Sequence, residues 1–213
     1  MISLIQIGQP VLATVILTLA VTADGQRSLR ELAREIALND PNGIIRLPQS
    51  PEHHEAKSPE ELSRDSVVVV TGRLVHKGSY LSPKENYVLT DYDVADVNVL
   101  NGTLPVRGAT VPGPTPSLVV SVWGGEVVVH GVQIRAEDQN FHPIREGVPY
   151  LLFLTPARSP ESQGYWIYGA AIFEIESQKV KPLLKRGNQV FAWAEDVMLP
   201  ELVARIQSAA KER

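Results

Sequence analysis

The stretch 66–176 constrains the fold most, because β-branched runs alternate there with glycine- and proline-rich turns. Its first segment, SVVVVTGRLVHKGSYL (66–81), is typical of a long strand. The next, YVLTDYDVADVNVL (87–100), alternates between two faces and predicts a second long strand with a bulge near Asp93. Two long strands joined by the short turn SPKEN predict a hairpin.

Shorter runs follow, and glycines punctuate them. SLVVSVW (117–123), EVVV (126–129) and VQIRA (132–136) predict three short strands that turn at Gly124-Gly125 and at His130-Gly131. His130 could be a lone ligand or base, but histidine tolerates positive φ, and His-Gly can replace Asn-Gly in a two-residue hairpin. We therefore predict a positive-φ turn at His130.

The last two strands are the most apolar. VPYLLFLTP (148–156) is a nearly continuous apolar run, which is typical of a central buried strand. YWIYGAAIFEIE (165–176) predicts another strand, with a bulge or bend at Gly169. In all, the sequence predicts five to seven strands between 66 and 176.

Helices are expected before and after the strands. SLRELAREIAL (28–38) carries the capping-box pair Ser28 and Glu31, and SPEEL (58–62) begins a second helix. Between them, 44–57 is expected to be a polar loop. The end of the chain, 195–213, predicts a helix with one apolar stripe, formed by Leu199, Leu202, Val203 and Ile206.

The predicted fold is mainly β: a small five-to-six-stranded OB-like barrel with flanking N- and C-terminal helices. A β-sandwich is the alternative. The predicted organisation has four parts, which are a signal peptide or anchor (1–23), a helical and loop lead-in (24–65), the OB-like barrel (66–184) and a C-terminal helical segment (185–213).

The N-terminal residues indicate export. VLATVILTLAV (11–21) is an apolar or hydroxyl run, and VTA (21–23) offers small residues at the positions that a signal peptidase reads. Residues 1–10 lack Lys and Arg, so an uncleaved anchor and a buried core helix stay open as alternatives. We expect a periplasmic, cell-envelope or secreted protein. The absence of cysteine excludes disulfides, thiolate metal sites and a cysteine nucleophile.

The order of the strand segments resembles that of a known group over roughly residues 65–184. The segments are GRLVHKGSYL, YVLTDYDVADVNVLNG, VVSVWGGEVVVHGVQIRAED, PYLLFL, GYW, AIFEI and KVKPL. They look like those of uncharacterised exported bacterial proteins whose OB-like barrel is similar to tissue-inhibitor-of-metalloproteinase and netrin-like domains. Those inhibitors use an N-terminal cysteine that this chain lacks, so the resemblance implies a fold and no functional residue.

No catalytic motif or metal-ligand spacing appears in the sequence. PEHHEAK (51–57) places His53 beside His54, which point apart on either a strand or a helix, and we interpret it as a solvated loop. Asp91 and Asp93 share one side of a strand and could hold a hard cation, although solvated carboxylates are the simpler interpretation. The sequence therefore predicts no metal, no cofactor and no catalytic residue.

Aromatic side chains are the best candidates for binding. OB-type barrels can present such side chains on one face to bind oligomers. The candidate binding residues are Tyr92, Trp123, Phe141 and Trp166.

The functional prediction is a non-enzymatic binding or interaction module whose partner is another envelope or extracellular protein. The alternatives are a hydrolase or metal-dependent enzyme with a dispersed site, and a structural accessory domain. A formal charge of −4 disfavours nucleic acid, since phosphate binding needs a basic surface. Membrane contact is expected only through an uncleaved N-terminal segment.

Overall fold

The computed structural model describes residues 27–49, 58–104, 118–138, 140–156, 164–185, 189–194 and 197–211. Nine strands dominate this part of the chain. They are β1 (Ile44–Gln49), β2 (Val68–Leu81), β3 (Val88–Gly102), β4 (Leu118–Trp123), β5 (Gly125–Val129), β6 (Val132–Asp138), β7 (Pro149–Pro156), β8 (Tyr165–Glu176) and β9 (Lys179–Pro182). The predicted mainly β fold with flanking helices is confirmed.

Three α-helices flank the strands: α1 (Leu29–Asn39), α2 (Pro59–Asp65) and α3 (Leu199–Lys211). The predicted capping box of α1 is present, because the Ser28 hydroxyl accepts from the Glu31 amide and the Glu31 carboxylate accepts from the Ser28 amide. The Ser58 hydroxyl caps α2 by accepting from the Glu61 amide, and Pro59 lies in the first turn. A kinked 3₁₀ segment, Gln189–Ala194, precedes α3. None of these described helices is long and apolar enough to cross a membrane.

Six strands form one sheet in the order β4-β3-β2-β7-β8-β9, and a parallel contact between β4 and β8 bends it into a ring. Val120 and Ser121 of β4 pair with Tyr165 and Trp166 of β8 at this closure. The ring is the arrangement that a small barrel requires. Because it closes through only two residue pairs, the sandwich-like alternative is also consistent with it.

The long hairpin of β2 and β3 bends where its register shifts. The predicted bulge lies near Asp96, which has φ 53, whereas Asp93 pairs regularly with Val75. Opposite that bulge, Gly72 has no room for a side chain, since an added Cβ would lie 2.4 Å from Val94 Cγ1. A bulge increases the local twist, which helps a long hairpin to curve around a ring.

A second sheet has the order β1-β6-β5. It joins the ring where β5 begins: Thr90 donates to the carbonyl of Gly124 at 2.6 Å and lies 2.8 Å from the hydroxyl of Ser79. A Cβ on Gly125 would lie 2.1 Å from Thr90 Oγ1, so glycine is needed for this close approach.

The core has three parts. The ring interior holds Leu74, Val120 and Leu152 among others, and a second cluster fills the space between the small sheet and α1. The third lies outside the ring, where α2, α3 and the 3₁₀ segment cover β7 and β8.

Two sequence predictions need correction. The predicted loop over 44–57 is wrong for Ile44–Gln49, which pairs in parallel with β6; residues 50–57, including the two histidines, lie outside the described residues. The segment after β8, which we expected to lead away, forms β9 on Ile175 and its neighbours. Both strands exist through pairing with distant residues, which no local pattern encodes.

The other predicted elements are found. His130 has φ 52 and forms a two-residue hairpin turn with Gly131, as predicted. β7 is central in its sheet, as predicted. The pairing of β7 with β8 has a register shift that places an irregularity of β8 at 168–171, around the predicted bend at Gly169. The predicted signal at 1–23 lies outside the described residues.

Candidate functional site

Three aromatic side chains lie together on the outer surface of the six-stranded ring. Trp123 is 36% exposed and Tyr87 is 41% exposed. Their ring centroids are 4.5 Å apart in an edge-to-face contact, and the centroids of Trp123 and Trp166 are 5.3 Å apart. The sequence candidates Trp123 and Trp166 are therefore brought together, with Tyr87 as a third member.

Strand register explains this grouping. Trp123 pairs with Leu89, and Tyr87 lies two residues before Leu89, so all three point to the same face. Trp166 of β8 lies beside Trp123 because it pairs with Ser121, two residues before Trp123. The narrow closure of the ring is thus what places two tryptophans side by side.

A carboxylate lies next to the aromatic rings on the same face. Asp91 Oδ1 accepts a hydrogen bond from Ser121 Oγ at 2.6 Å and another from the Tyr80 hydroxyl at 3.0 Å. Burial raises the pKa of Tyr80, while its hydrogen bond with Ser121 opposes that rise. Tyr80 therefore stays a neutral donor to Asp91 at physiological pH.

We call this surface the aromatic–acidic face and define it by Tyr80, Tyr87, Asp91, Ser121, Trp123 and Trp166. Asp93 and Val75 extend it along the hairpin, and Val75 is 43% exposed. Lys77 Nζ lies 3.6 Å from Asp93 Oδ1, too far for a hydrogen bond. Rings beside a carboxylate suit a cation or a polar group with an apolar flank.

The other two sequence candidates lie elsewhere. Tyr92 is half-buried against the ring interior and meets His76 edge-to-face, with ring centroids 5.8 Å apart. Burial, and next the nearby charge of Glu146, raise the pKa of Tyr92. Phe141 is half-buried, bridges to Leu184 and packs against both the inner and the outer core.

A buried carboxylate at the opposite end of the ring has a structural explanation. Glu174 is 7% exposed and pairs with Arg145, whose Nε lies 3.2 Å from Glu174 Oε2. The Tyr150 hydroxyl accepts from the Arg145 amide at 2.8 Å and donates to its carbonyl at 3.1 Å. These bonds fasten the segment before β7 across the ring.

Within the described part of the chain, no group of three or more His, Asp or Glu side chains could hold a metal ion. His130 and His142 are both exposed, and His142 donates its backbone amide to Leu183. Asp91 and Asp93 share a face as expected, but the Asp91 carboxylate already accepts hydrogen bonds from the hydroxyls of Tyr80 and Ser121.

Sequence reasoning named two members of the face and missed the rest as a site. The period-two spacing of Tyr87, Leu89 and Asp91 already placed an aromatic ring and a carboxylate on one side of β3. Nothing local indicated that β4 and β8 would bring Trp123 and Trp166 to that side. Neither protein-family models nor curated proteins give a match to this sequence.

Proposed function

We propose that this protein is a non-enzymatic interaction module of the cell envelope or the secreted fraction. In this proposal the aromatic–acidic face holds a basic segment of another envelope or extracellular protein. The observation that carries it is the cluster of exposed rings on Tyr87 and Trp123 beside the carboxylate of Asp91.

The chemistry of the face favours a basic side chain as its occupant. An arginine guanidinium stacks on a tryptophan or tyrosine ring and donates to a carboxylate at the same time. Asp91 and Asp93 give this face two carboxylates, and Lys77 lies beside Asp93. Tryptophan, tyrosine and arginine are also the residues that dominate binding energy at protein interfaces.

Pre-organisation supports the same function. The Asp91 carboxylate is held by Ser121 and Tyr80 before any ligand arrives, and strands position the rings of Trp123 and Trp166. Rigid aromatic side chains lose little conformational entropy on binding, so more of the contact energy appears as affinity.

The first test uses a tetra-arginine peptide as a probe, titrated against tryptophan fluorescence of the full chain. We expect saturable binding that weakens with salt and that Trp123→Ala reduces at least tenfold. Leu38→Ala removes an 84% exposed apolar side chain from α1 and is the matched control, which should bind like the wild type. Equal affinity of all three proteins, or of tetra-glutamate and tetra-arginine, would contradict the proposal.

The second test identifies the partner. The full chain is used for affinity capture from the native envelope, and the captured protein is purified. We expect Trp123→Ala and Asp91→Asn to raise its Kd by at least tenfold, since hot-spot truncations are worth about 2 kcal/mol or more. A partner that binds both variants as well as wild type would place the interface elsewhere.

Export is part of the proposal and rests on the apolar run 11–21 with its small residues at 21–23. Mass spectrometry of the protein from its native source should find an N-terminus near Asp24. An intact Met1 in a soluble cytoplasmic fraction would contradict it.

We also propose a relationship to the tissue-inhibitor-of-metalloproteinase and netrin-like barrels, which rests on the segment pattern over 65–184. The inhibitory mechanism does not follow, because the chain has no cysteine to meet a zinc ion. The binding face that we propose is independent of this relationship.

A further inference from the structure

β5 presents a free edge. It lies at the end of the order β1-β6-β5, so it pairs with β6 on one side only within the described residues. Val129 and Val132 flank the two-residue turn, and such a flanking pair is hydrogen-bonded. The backbone N–H and C=O of Val128 and of Glu126 therefore point away from β6, towards the free edge.

One half of β2 also has a free edge. From Val68 to Arg73, β2 is paired with both β3 and β7. Beyond that point, Gly147 donates a long 3.4 Å bond to the carbonyl of Leu74, and no described strand joins the second edge of β2. Among the described strands, the segment from Val75 to Leu81 therefore pairs only with β3.

A groove of about 520 Å³ lies between these two strands. Consecutive residues line it on each side, Val127–His130 from β5 and its turn, and Ser79–Ser82 from the end of β2. Side chains of a strand alternate between faces, so a run of consecutive residues lines a groove through its backbone edge. The groove closes at one end, where Gly125 approaches Ser79.

We propose that this groove binds an extended peptide segment of another protein, which adds to the outer edge of β5 as a further strand. The N–H and C=O groups of Glu126 and Val128, which no described strand pairs on this side, recognise a backbone, and an extended polypeptide offers the repeating donors and acceptors that match them. The end of β2 forms the opposite wall.

The wall chemistry specifies the peptide further. Leu81, Val127 and Val129 pack against the cluster beneath α1, so they offer an apolar floor to every second side chain of an added strand. Arg30 and Glu85 line the groove as an ion pair, which neutralises their charges. The expected ligand has β-branched apolar residues at alternate positions and polar residues between them.

This inference does not rest on the proposed function, because the aromatic–acidic face recognises side chains and the groove recognises a backbone. The two surfaces share only Tyr80, whose hydroxyl donates to Asp91 while the residue lines the groove. Each can therefore be disabled without the other.

The test uses the acetylated and amidated peptide Lys-Thr-Val-Thr-Val-Thr-Lys as the probe. Two further versions carry N-methyl groups on alternate amides, each blocking one edge of the peptide. We expect the parent peptide and one methylated version to bind the full chain, and the other version to bind at least tenfold more weakly. Hydrogen exchange at the amides of Glu126 and Val128 should slow on binding, while Val127 and Val129, already bonded to β6, change little.

A matched pair of variants tests the edge itself. Val128→Pro removes the outward amide at an edge position where proline is tolerated, and Val128→Thr keeps both the amide and the β-branched shape. We expect Val128→Pro to weaken the peptide at least tenfold and Val128→Thr to change its Kd less than twofold. Trp123→Ala should leave peptide binding intact.

Three outcomes would overturn the inference. They are equal binding by folded Val128→Pro, equal binding of both methylated peptides, and exchange protection confined to Trp123 and its neighbours. A dimer of this chain that Val128→Pro dissociates would assign the edge to a second copy instead. If Val128→Pro does not fold, the two methylated peptides on wild-type protein still decide the question.

Discussion

The two sides of the strand ring differ in what covers them. Around β7, outward-facing Phe153 and Phe173 are fully buried, because α2, α3 and the 3₁₀ segment pack over them. Around β3 and β4, outward-facing Tyr87 and Trp123 keep more than a third of their surface exposed. Both sides carry large aromatic residues, so composition alone does not distinguish core from candidate binding surface. The difference comes from the helices, which cover one side.

The covered side is closed by a specific long-range contact. Arg205 of α3 forms two hydrogen bonds with Glu60 of α2, at 2.6 and 3.0 Å. Leu62, Leu202 and Ile206 bring the apolar surfaces of both helices onto β7 and β8. On the open side, Ser121 Oγ donates a hydrogen bond to Asp91 Oδ1.

Truncating one aromatic side chain on each side of the strand ring should give the largest contrast in the free energy of unfolding. Phe173 is fully buried, and its ring centroid lies 5.2 Å from that of Phe191 and 5.8 Å from that of Phe153. Phe173→Ala should lower the free energy of unfolding by about 3–5 kcal/mol. Tyr87→Ala should lower it by less than about 1 kcal/mol, because the ring is already exposed. Urea unfolding of both variants checks this, and similar losses would mean that the sides do not differ.

Two glycines of β2 sharpen the comparison between its doubly paired and singly paired halves. A Cβ on Gly72 would meet Val94 Cγ1 at 2.4 Å, whereas a Cβ on Gly78 would meet no atom within 4 Å. Gly72→Ala should therefore destabilise by about 1–3 kcal/mol through overpacking, and Gly78→Ala should stay within about 0.5 kcal/mol. Thermal unfolding of the pair measures the difference. A costly Gly78→Ala would show that the second half of β2 is also crowded.

The β5–β6 hairpin depends on its turn. His130 holds φ 52 and is exposed. His130→Val places a β-branched residue in the left-handed region and should destabilise by about 1–2 kcal/mol relative to His130→Gly. Chemical denaturation compares the two, and equal stability would contradict a role for turn geometry. A loss of binding in both variants without a loss of stability would restore a functional role for the imidazole.

The ion pair on the covered side gives the smallest effect and a pH signature. The hydrogen bond from Arg205 lowers the pKa of Glu60 from 4.5 to about 2. A lowered carboxyl pKa stabilises the fold above the unfolded value, so this contribution is full at pH 7 and is lost as the pH falls from about 4.5 towards 2. Because both side chains stay partly exposed, Glu60→Gln should cost only about 1 kcal/mol at pH 7.

The control for that prediction is the same variant at low pH. Wild type and Glu60→Gln should approach one another in unfolding free energy as the pH falls to 2, because the carboxyl is then about half protonated in the folded chain and almost fully protonated in the unfolded chain. A constant difference between them down to pH 2 would show that Glu60 acts through packing instead.

Elements whose signals are local were predictable. Ser28 and Glu31 predict the start of α1, because a capping box satisfies the free amides within the same turn. The His130-Gly131 turn follows from the conformational tolerance of those two residues. β1 and β9 were not predictable, because Ile44–Gln49 and Lys179–Pro182 are short and depend on partners far along the chain.

The candidate site divides in the same way. Period-two alternation puts Tyr87 and Asp91 on one face of β3 from sequence alone. The nearness of Trp166 to Trp123 required the pairing of β4 with β8, which joins residues 45 positions apart. The edge position of β5 among the described strands likewise follows from sheet order, which no local run of residues encodes.

The sequence by itself determined the mainly β fold, its long first hairpin, the capped helices and the positive-φ turn at His130. Each depends on interactions within a few residues, where sterics and backbone hydrogen bonds act without long-range help. Only the tertiary structure decided which face the helices cover, and so left Trp123, Tyr87 and Asp91 open on one side. Burial is a property of what packs against a residue, and that partner is set by the whole chain.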